Sequence, residues 1–369
     1  MKIRQIFLCI FLLRICFATA QDPHISQFFA NRLYLNPAFA GIDDGLLVNA
    51  TARNQWYAAN KGYSFYTLSA EWQEPCWRSG FGLMLTHARE GLAPLVSSSG
   101  ALTYRYGDYE KGFNVALQCS FNQKYLDWSR FTFSDELDPV FGDIYGSAVA
   151  DGEATATFLG IAAGLLYRWD SRVKTRGGMK FQTRWHLGLA AHHLASLFGE
   201  GPDASFLPYD TEEVPPRLTL HGGVIIPLTF LKGVNNSLLI SPNFRLESQG
   251  PEPYNLGKSQ TLFSGGIYVV FMNKLTVGAL YHNRSIAAGT RHTSAMTYAI
   301  GLSSLPTTAK SDAFYIGLSI DVNPTGLGWE SKNTYEFNFR YTFRGGKTFC
   351  TPTGGQRFGG GGSTGCPLW

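Results

Sequence analysis

Residues 334–344 read TYEFNFRYTFR. Successive side chains of a strand point to opposite faces. Tyr335, Phe337, Phe339, Tyr341 and Phe343 therefore share one face, and Glu336, Asn338, Arg340, Thr342 and Arg344 share the other. A face of rings backed by a face of charges has two homes. In a soluble sandwich the rings enter a core and the charges meet water. In a transmembrane strand the rings meet lipid and the charges meet a wet lumen. The alternation recurs. Phe113, Val115, Leu117, Cys119 and Phe121 alternate with Asn114, Ala116, Gln118, Ser120 and Asn122. Phe314, Ile316, Leu318 and Ile320 alternate with Tyr315, Gly317, Ser319 and Asp321. Leu159, Ile161, Leu165 and Tyr167 alternate with small residues such as Gly160, Ala162 and Gly164.

Composition separates the two homes. Charged residues are 16% of the chain, below the roughly 25% of soluble domains. Aromatics reach 14% and there are 41 glycines. Beyond the first twenty residues no apolar run approaches the roughly 18 needed for a membrane helix. These features favour an outer-membrane β-barrel over a soluble enzyme. The net charge of +4 is too small to imply a nucleic-acid partner. A secreted propeller would show a repeated blade motif, and no such repeat is visible.

About fourteen strands are predicted, near 46–57, 63–73, 78–89, 95–106, 112–123, 156–169, 181–193, 216–229, 237–248, 259–271, 274–284, 293–303, 312–322 and 333–343. In lipid every backbone polar group must be paired, so the antiparallel sheet must close with no free edge. An even count brings the first and last strands to one face, which in bacterial barrels is periplasmic, with short turns there and long loops outside. The longest connections, 124–155 and 194–215, follow odd strands, while EPCW, DYEK and MNK follow even ones. Loop length thus agrees with strand parity, and both termini are expected in the periplasm.

The ends divide the chain further. Lys2 and Arg4, the stretch IFLCIFLL and the ATA at 18–20 read as a signal peptide over 1–20. Residues 21–45 form an N-terminal segment, 46–344 the barrel, and 345–369 a Gly-rich periplasmic tail. Parity places Cys76, Cys350 and Cys366 on one side, and an exported chain permits a Cys350–Cys366 disulfide. Cys76 is a lesser partner, and Cys119 faces lipid.

No catalytic or nucleotide-binding motif stands out, and no cofactor is implied. His192 and His193 are adjacent, so alternation points them to opposite faces. Asp135, Glu136 and Asp138 offer oxygen ligands for calcium, but their spacing is not that of an EF-hand, and a solvated acidic turn is the simpler reading. Arg53, Gln55, Glu71, Arg105, Glu336 and Arg340 fall on lumenal faces, where a structural polar network is favoured over an ion-selective lining. The segment PHISQFFANRLYLNPAFAG at 23–41 does not alternate and carries Pro37. Its aromatics, Phe28, Phe29 and Tyr34 among them, would sit badly in water. Two placements fit: a plug in the periplasmic mouth, or a periplasmic docking surface. Asn31, Arg32 and Asn36 suit a hydrogen-bonding lumen and favour the plug.

Several strings are specific. QDPHISQFFANRLYLNPAFAG at 21–41, ARNQW at 52–56, FNQKYLDWSRFTFSDELDP at 121–139, LGLAAHHL at 187–194 and YEFNFRYTF at 335–343 resemble the PorP/SprF family of outer-membrane proteins of type IX secretion systems. The resemblance covers about residues 21–343 and brings no catalytic residues. It implies an outer-membrane barrel, set in lipid, that serves export or anchoring of adhesins and other cargo in gliding or secreting bacteria. Implied partners are other secretion subunits, in a periplasmic ring or motor, and the secreted adhesin itself. A barrel of this strand number admits a small peptide or solutes but no folded adhesin. An accessory, anchor or docking role is therefore favoured over a main conduit, with a porin-like solute channel as the alternative. The cysteine-bearing tail departs from the family pattern, which commonly stops near the last strand.

Overall fold

The computed structural model describes residues 22–43, 45–56, 62–74, 77–90, 95–108, 111–126, 137–138, 142–143, 155–174, 180–195, 215–228, 238–250, 254, 259–272, 274–285, 292–304, 312–322 and 333–343. Fourteen antiparallel strands close into one barrel. They are β1 Leu46–Gln55, β2 Tyr63–Glu74, β3 Ser79–Glu90, β4 Leu95–Gly107, β5 Gly112–Leu126, β6 Thr155–Lys174 and β7 Lys180–His192. They continue as β8 Arg217–Leu228, β9 Leu238–Gln249, β10 Gln260–Phe271, β11 Leu275–Ser285, β12 His292–Ser304, β13 Ala313–Val322 and β14 Thr334–Phe343. Each strand pairs with its neighbours in sequence, and β1 closes on β14 with Leu46 opposite Phe343 and Asn54 opposite Tyr335. A two-residue ladder joins Leu137–Asp138 to Gly142–Asp143 between β5 and β6.

Alternation becomes inside and outside. On β5, Asn114, Ala116 and Gln118 are buried, while Phe113 and Leu117 are 64% and 63% exposed. In water such a surface would be untenable over its whole circumference; in lipid it is the required one. The rim that holds Leu46 and Phe343 also carries the short connections between β2 and β3, β4 and β5, and β10 and β11. We call it the near rim. The far rim carries the long connections between β5 and β6 and between β7 and β8.

The core lies inside the barrel and is built around residues 22–43. Phe28, Phe29, Leu35, Phe39 and Ile42 cluster with inward-facing Leu166, Ile225, Tyr268, Leu280 and Tyr315. Leu33 packs with Met84 and Ala101, and Ile25 with Phe65 and Ala88. Burial of each large apolar side chain contributes about 1.5–3 kcal/mol. Local structure in the segment follows from its asparagines. Asn31 caps the one-turn helix α1, Arg32–Leu35. Asn36 is extended, as a residue before proline prefers, and its side chain caps the 3₁₀ turn Pro37–Phe39 with Pro37 at the position a helix start tolerates.

Candidate functional site: the lumen and its N-terminal segment

The segment's first contacts are at the far rim. The Asp22 amide donates to Gln249 Oε1 at 3.1 Å. Its carboxylate lies 2.8 Å from His193 Nε2 and 3.0 Å from Arg217. Burial alone would raise this carboxyl, but His193 and Arg217 overcome it and hold the group well below the usual carboxylate range. One turn of strand deeper, the amides of Ser26 and Gln27 donate to the two oxygens of Glu336, at 2.7 and 2.9 Å. Arg53 completes this node, 3.1 Å from Glu336 and 2.8 Å from Asp321, and Ser26 Oγ donates to Asp321 at 2.6 Å. Arg53, Asp321 and Glu336 are all buried. A buried cation facing two carboxylates is compensated only because hydrogen bonds satisfy the remaining oxygens; the segment's own amides supply two of them.

At mid-barrel the wall reads the segment's main chain. Asn49 Nδ2 and Arg340 both donate to the Ala30 carbonyl, and Arg340 also reaches that of Phe29. Asn31 donates to Thr51 and Thr67. Asn36 Nδ2 is within bonding distance of the Leu165 and Leu189 carbonyls and of His221. At the near rim Arg105 Nε donates to the Ala40 carbonyl at 2.6 Å and its Nη2 to that of Gly41 at 3.0 Å. Arg32 pairs with Asp43. Burial pushes the Asp43 carboxyl up, and Arg32 and Arg168 more than offset it, leaving the group below its ordinary range.

The wall is recessed where the segment comes closest. A Cβ added to Gly80 would lie 2.1 Å from the Ala40 carbonyl oxygen, and one added to Gly164 would lie 2.1 Å from Asn36 Oδ1. A pocket beside the segment is lined by Arg32, Phe39, Ile42, Arg168, Arg184 and His186.

Of the residues placed on lumenal faces by alternation, Arg53 and Glu336 meet in one node, while Arg340 and Arg105 act separately on segment carbonyls. Glu71 is buried on the inner face of β2, and Gln55 is half-buried at the end of β1. Phe28, Phe29, Asn31, Arg32 and Asn36 are buried among wall residues, and Tyr34 is partly so. Asp321 and Arg217 are partners that sequence reasoning did not single out.

Two expectations change. The segment's contacts are not confined to one mouth: Asp22 bonds at the far rim and Gly41 at the near rim. Strand parity counts only strands and so does not place a segment that is not one. His193 also departs from alternation. It follows the last residue of β7 with φ of 58°, which turns its ring back onto Asp22 instead of away from the lumen. Residues 1–20, Cys76, Asp135, Glu136, the tail with Cys350 and Cys366, and the side chain of Asp138 lie outside the described residues.

The family model for the type IX secretion system membrane protein PorP/SprF matches residues 18–341. The chain belongs to this family. It is thus a type IX secretion system membrane protein with the fold of an outer-membrane barrel. No curated protein matches the sequence. Among solved structures, the Pseudomonas putida toluene transporter TodX is 12% identical, with a TM-score of 0.45 over 88% of this chain and 99% of that one. The monoaromatic hydrocarbon channel CymD is 13% identical, with a TM-score of 0.44 over 86% and 92%. Omp33 of Acinetobacter baumannii is 10% identical, with a TM-score of 0.36 over 82% and 100%.

Proposed function

We propose that this PorP/SprF barrel is an anchoring or docking subunit of the secretion system, closed to solutes by its own N-terminal segment, and not a conduit for folded cargo. The near rim faces the periplasm, where motor or ring components would bind. The far rim faces outward, and its long connections meet the secreted adhesin or other cargo. The observation that carries this reading is that residues 22–43 are bonded to inward-facing wall residues at both rims and between them. A solute channel would need that path clear.

Two measurements test it. In planar bilayers the full-length protein is expected to show no steady conductance, and a chain lacking residues 23–40 to conduct. A silent deletion variant that still folds would count against closure by the segment. Affinity capture from native membranes in mild detergent is expected to recover secretion-motor components or one large adhesin; recovery of neither, with conductance in the full-length protein, would favour the channel.

A further inference from the structure

The contacts of the N-terminal segment reach both rims of the barrel. Asp22 touches His193, Arg217 and Gln249, at or next to the far-rim ends of β7, β8 and β9. Ser26 meets Asp321 and Glu336, one and two residues inside the far-rim ends of β13 and β14. Asn31 meets Thr51 and Thr67 at mid-strand. Ala40 and Gly41 meet Arg105 and Gly80 beside the near rim, where β1 begins at Leu46. The path folds back once on the way, at α1, where the Tyr34 hydroxyl donates to the Pro23 carbonyl at 2.8 Å and its ring lies beside Arg217.

Length agrees with this path. Strands of 10 to 13 residues are typical here, and at about 3.3 Å per residue and a tilt of 35–45° they give a wall roughly 25–35 Å high. The twenty-two residues 22–43 could reach about 75 Å if extended. The α1 turn and the 3₁₀ turn shorten this by only about 12 Å, so the segment has the chain to fold back once at α1 and still end at the rim opposite Asp22.

From this we infer that the chain is threaded through its own barrel. Asp22 lies at the outer face, while Phe343 ends at the inner face. The Asp22 end of the described chain is then at the cell surface, on the rim that carries the long connections. Assembly acquires an order as well: residues 22–43 must lie in the lumen before β1 and β14 seal, and no leader held in the inner membrane can remain attached to Asp22 once they have. This inference rests on the membrane orientation proposed above.

The test uses full-length protein in intact cells, with the native cysteines replaced by serine and single cysteines restored at three places. These are Gln21→Cys, Ser147→Cys in the connection between β5 and β6, and Ser363→Cys in the tail. The probe is a membrane-impermeant maleimide of a few kilodaltons, and heat-modifiable migration on gels reports that each variant is folded. Labelling at positions 21 and 147 of intact cells, with position 363 labelled only after permeabilisation, is the expected result. Labelling at 147 with protection at 21 would overturn the threading and leave the orientation standing. Labelling at 363 with protection at 147 would overturn the orientation itself. As a second measurement, Asn31→Cys with Thr67→Cys, oxidised in the folded barrel, should cross-link the segment to mid-strand β2; failure to cross-link under oxidation would remove the segment from the lumen and the threading with it.

Discussion

Gly164→Ala adds a single methyl group to the inner face of β6, and the structure says what it meets. The new Cβ would stand 2.1 Å from Asn36 Oδ1, 2.8 Å from the Ala38 nitrogen and 3.2 Å from the Ala38 Cβ. Asn36 cannot yield cheaply, because its side chain caps the 3₁₀ turn and reaches two wall carbonyls and His221. Each hydrogen bond contributes about 1 kcal/mol net, so displacing the side chain costs the docked segment about 2–4 kcal/mol. That is roughly 30- to 1000-fold in the ratio of docked to released segment. The barrel itself should not suffer. Replacing Gly by Ala in an unstrained strand removes unfolded-state entropy and contributes about 0.4–1 kcal/mol of stability. Limited proteolysis of the folded protein in detergent should cleave the variant within 22–43 far faster than the parent, with the barrel fragment intact. Asn36→Ala made alongside should remove much of the added effect, because the closest clash goes with Oδ1. Unchanged protection in Gly164→Ala, or a full-sized effect when Asn36 is already alanine, would refute the argument.

Glu336→Ala removes the acceptor for two segment amides and one partner of Arg53; breaking such a buried pair costs about 3–5 kcal/mol, and protease protection around Ser26 should fall, whereas Thr342→Ala should be nearly silent. The rim carboxylates give a pH dependence of known sign. Asp22 and Asp43 are held below their ordinary range when docked, so their contribution is complete above the released-state value near pH 4. It is lost as pH falls below that, by up to about 1.4 kcal/mol per pH unit for each group. Pepsin should therefore cut the segment much faster at pH 2.5 than at pH 4.5 relative to an unstructured control, and Asp22→Asn should lessen the difference, leaving the share of Asp43; equal protection at both would contradict it. Leu117→Arg puts a charge on the outer face, where it should cost about 2–4 kcal/mol near the bilayer midplane, read as a reduced folded fraction in lipid; an unaffected yield would argue against lipid contact at that position.

Strands were the legible part of this sequence. Period-two alternation fixes which residues turn inward, and the expected bounds fall within a residue or two of the structure for most strands. β6 is the main departure, running to Lys174 where alternation in the sequence faded near Trp169. The occupant of the lumen was less legible. It has no period of its own, because its conformation is set by two asparagine caps, a proline and the surrounding wall. A usable signal was nevertheless present: glycines at inward positions, Gly80, Gly82, Gly164 and Gly188, mark where another part of the chain comes too close for a side chain. Asp321 lay in plain view on the polar face of its strand, but its role depends on Arg53 across the β1–β14 seam, a proximity that no local pattern encodes.

That seam gives residues 22–43 a further part to play. Asn49, Thr51 and Arg53 on β1 face Arg340, Asn338 and Glu336 on β14, and Ala30 and Ser26 bond to residues on both sides of it. Pairing the first strand with the last closes the longest loop in the chain, and loop-closure entropy grows with length. A peptide contiguous with β1 that also binds β14 acts as a splint across that joint. It lowers the entropy of finding the final register. In the finished barrel it bolts from within a ladder whose parting would let the wall open sideways into the membrane.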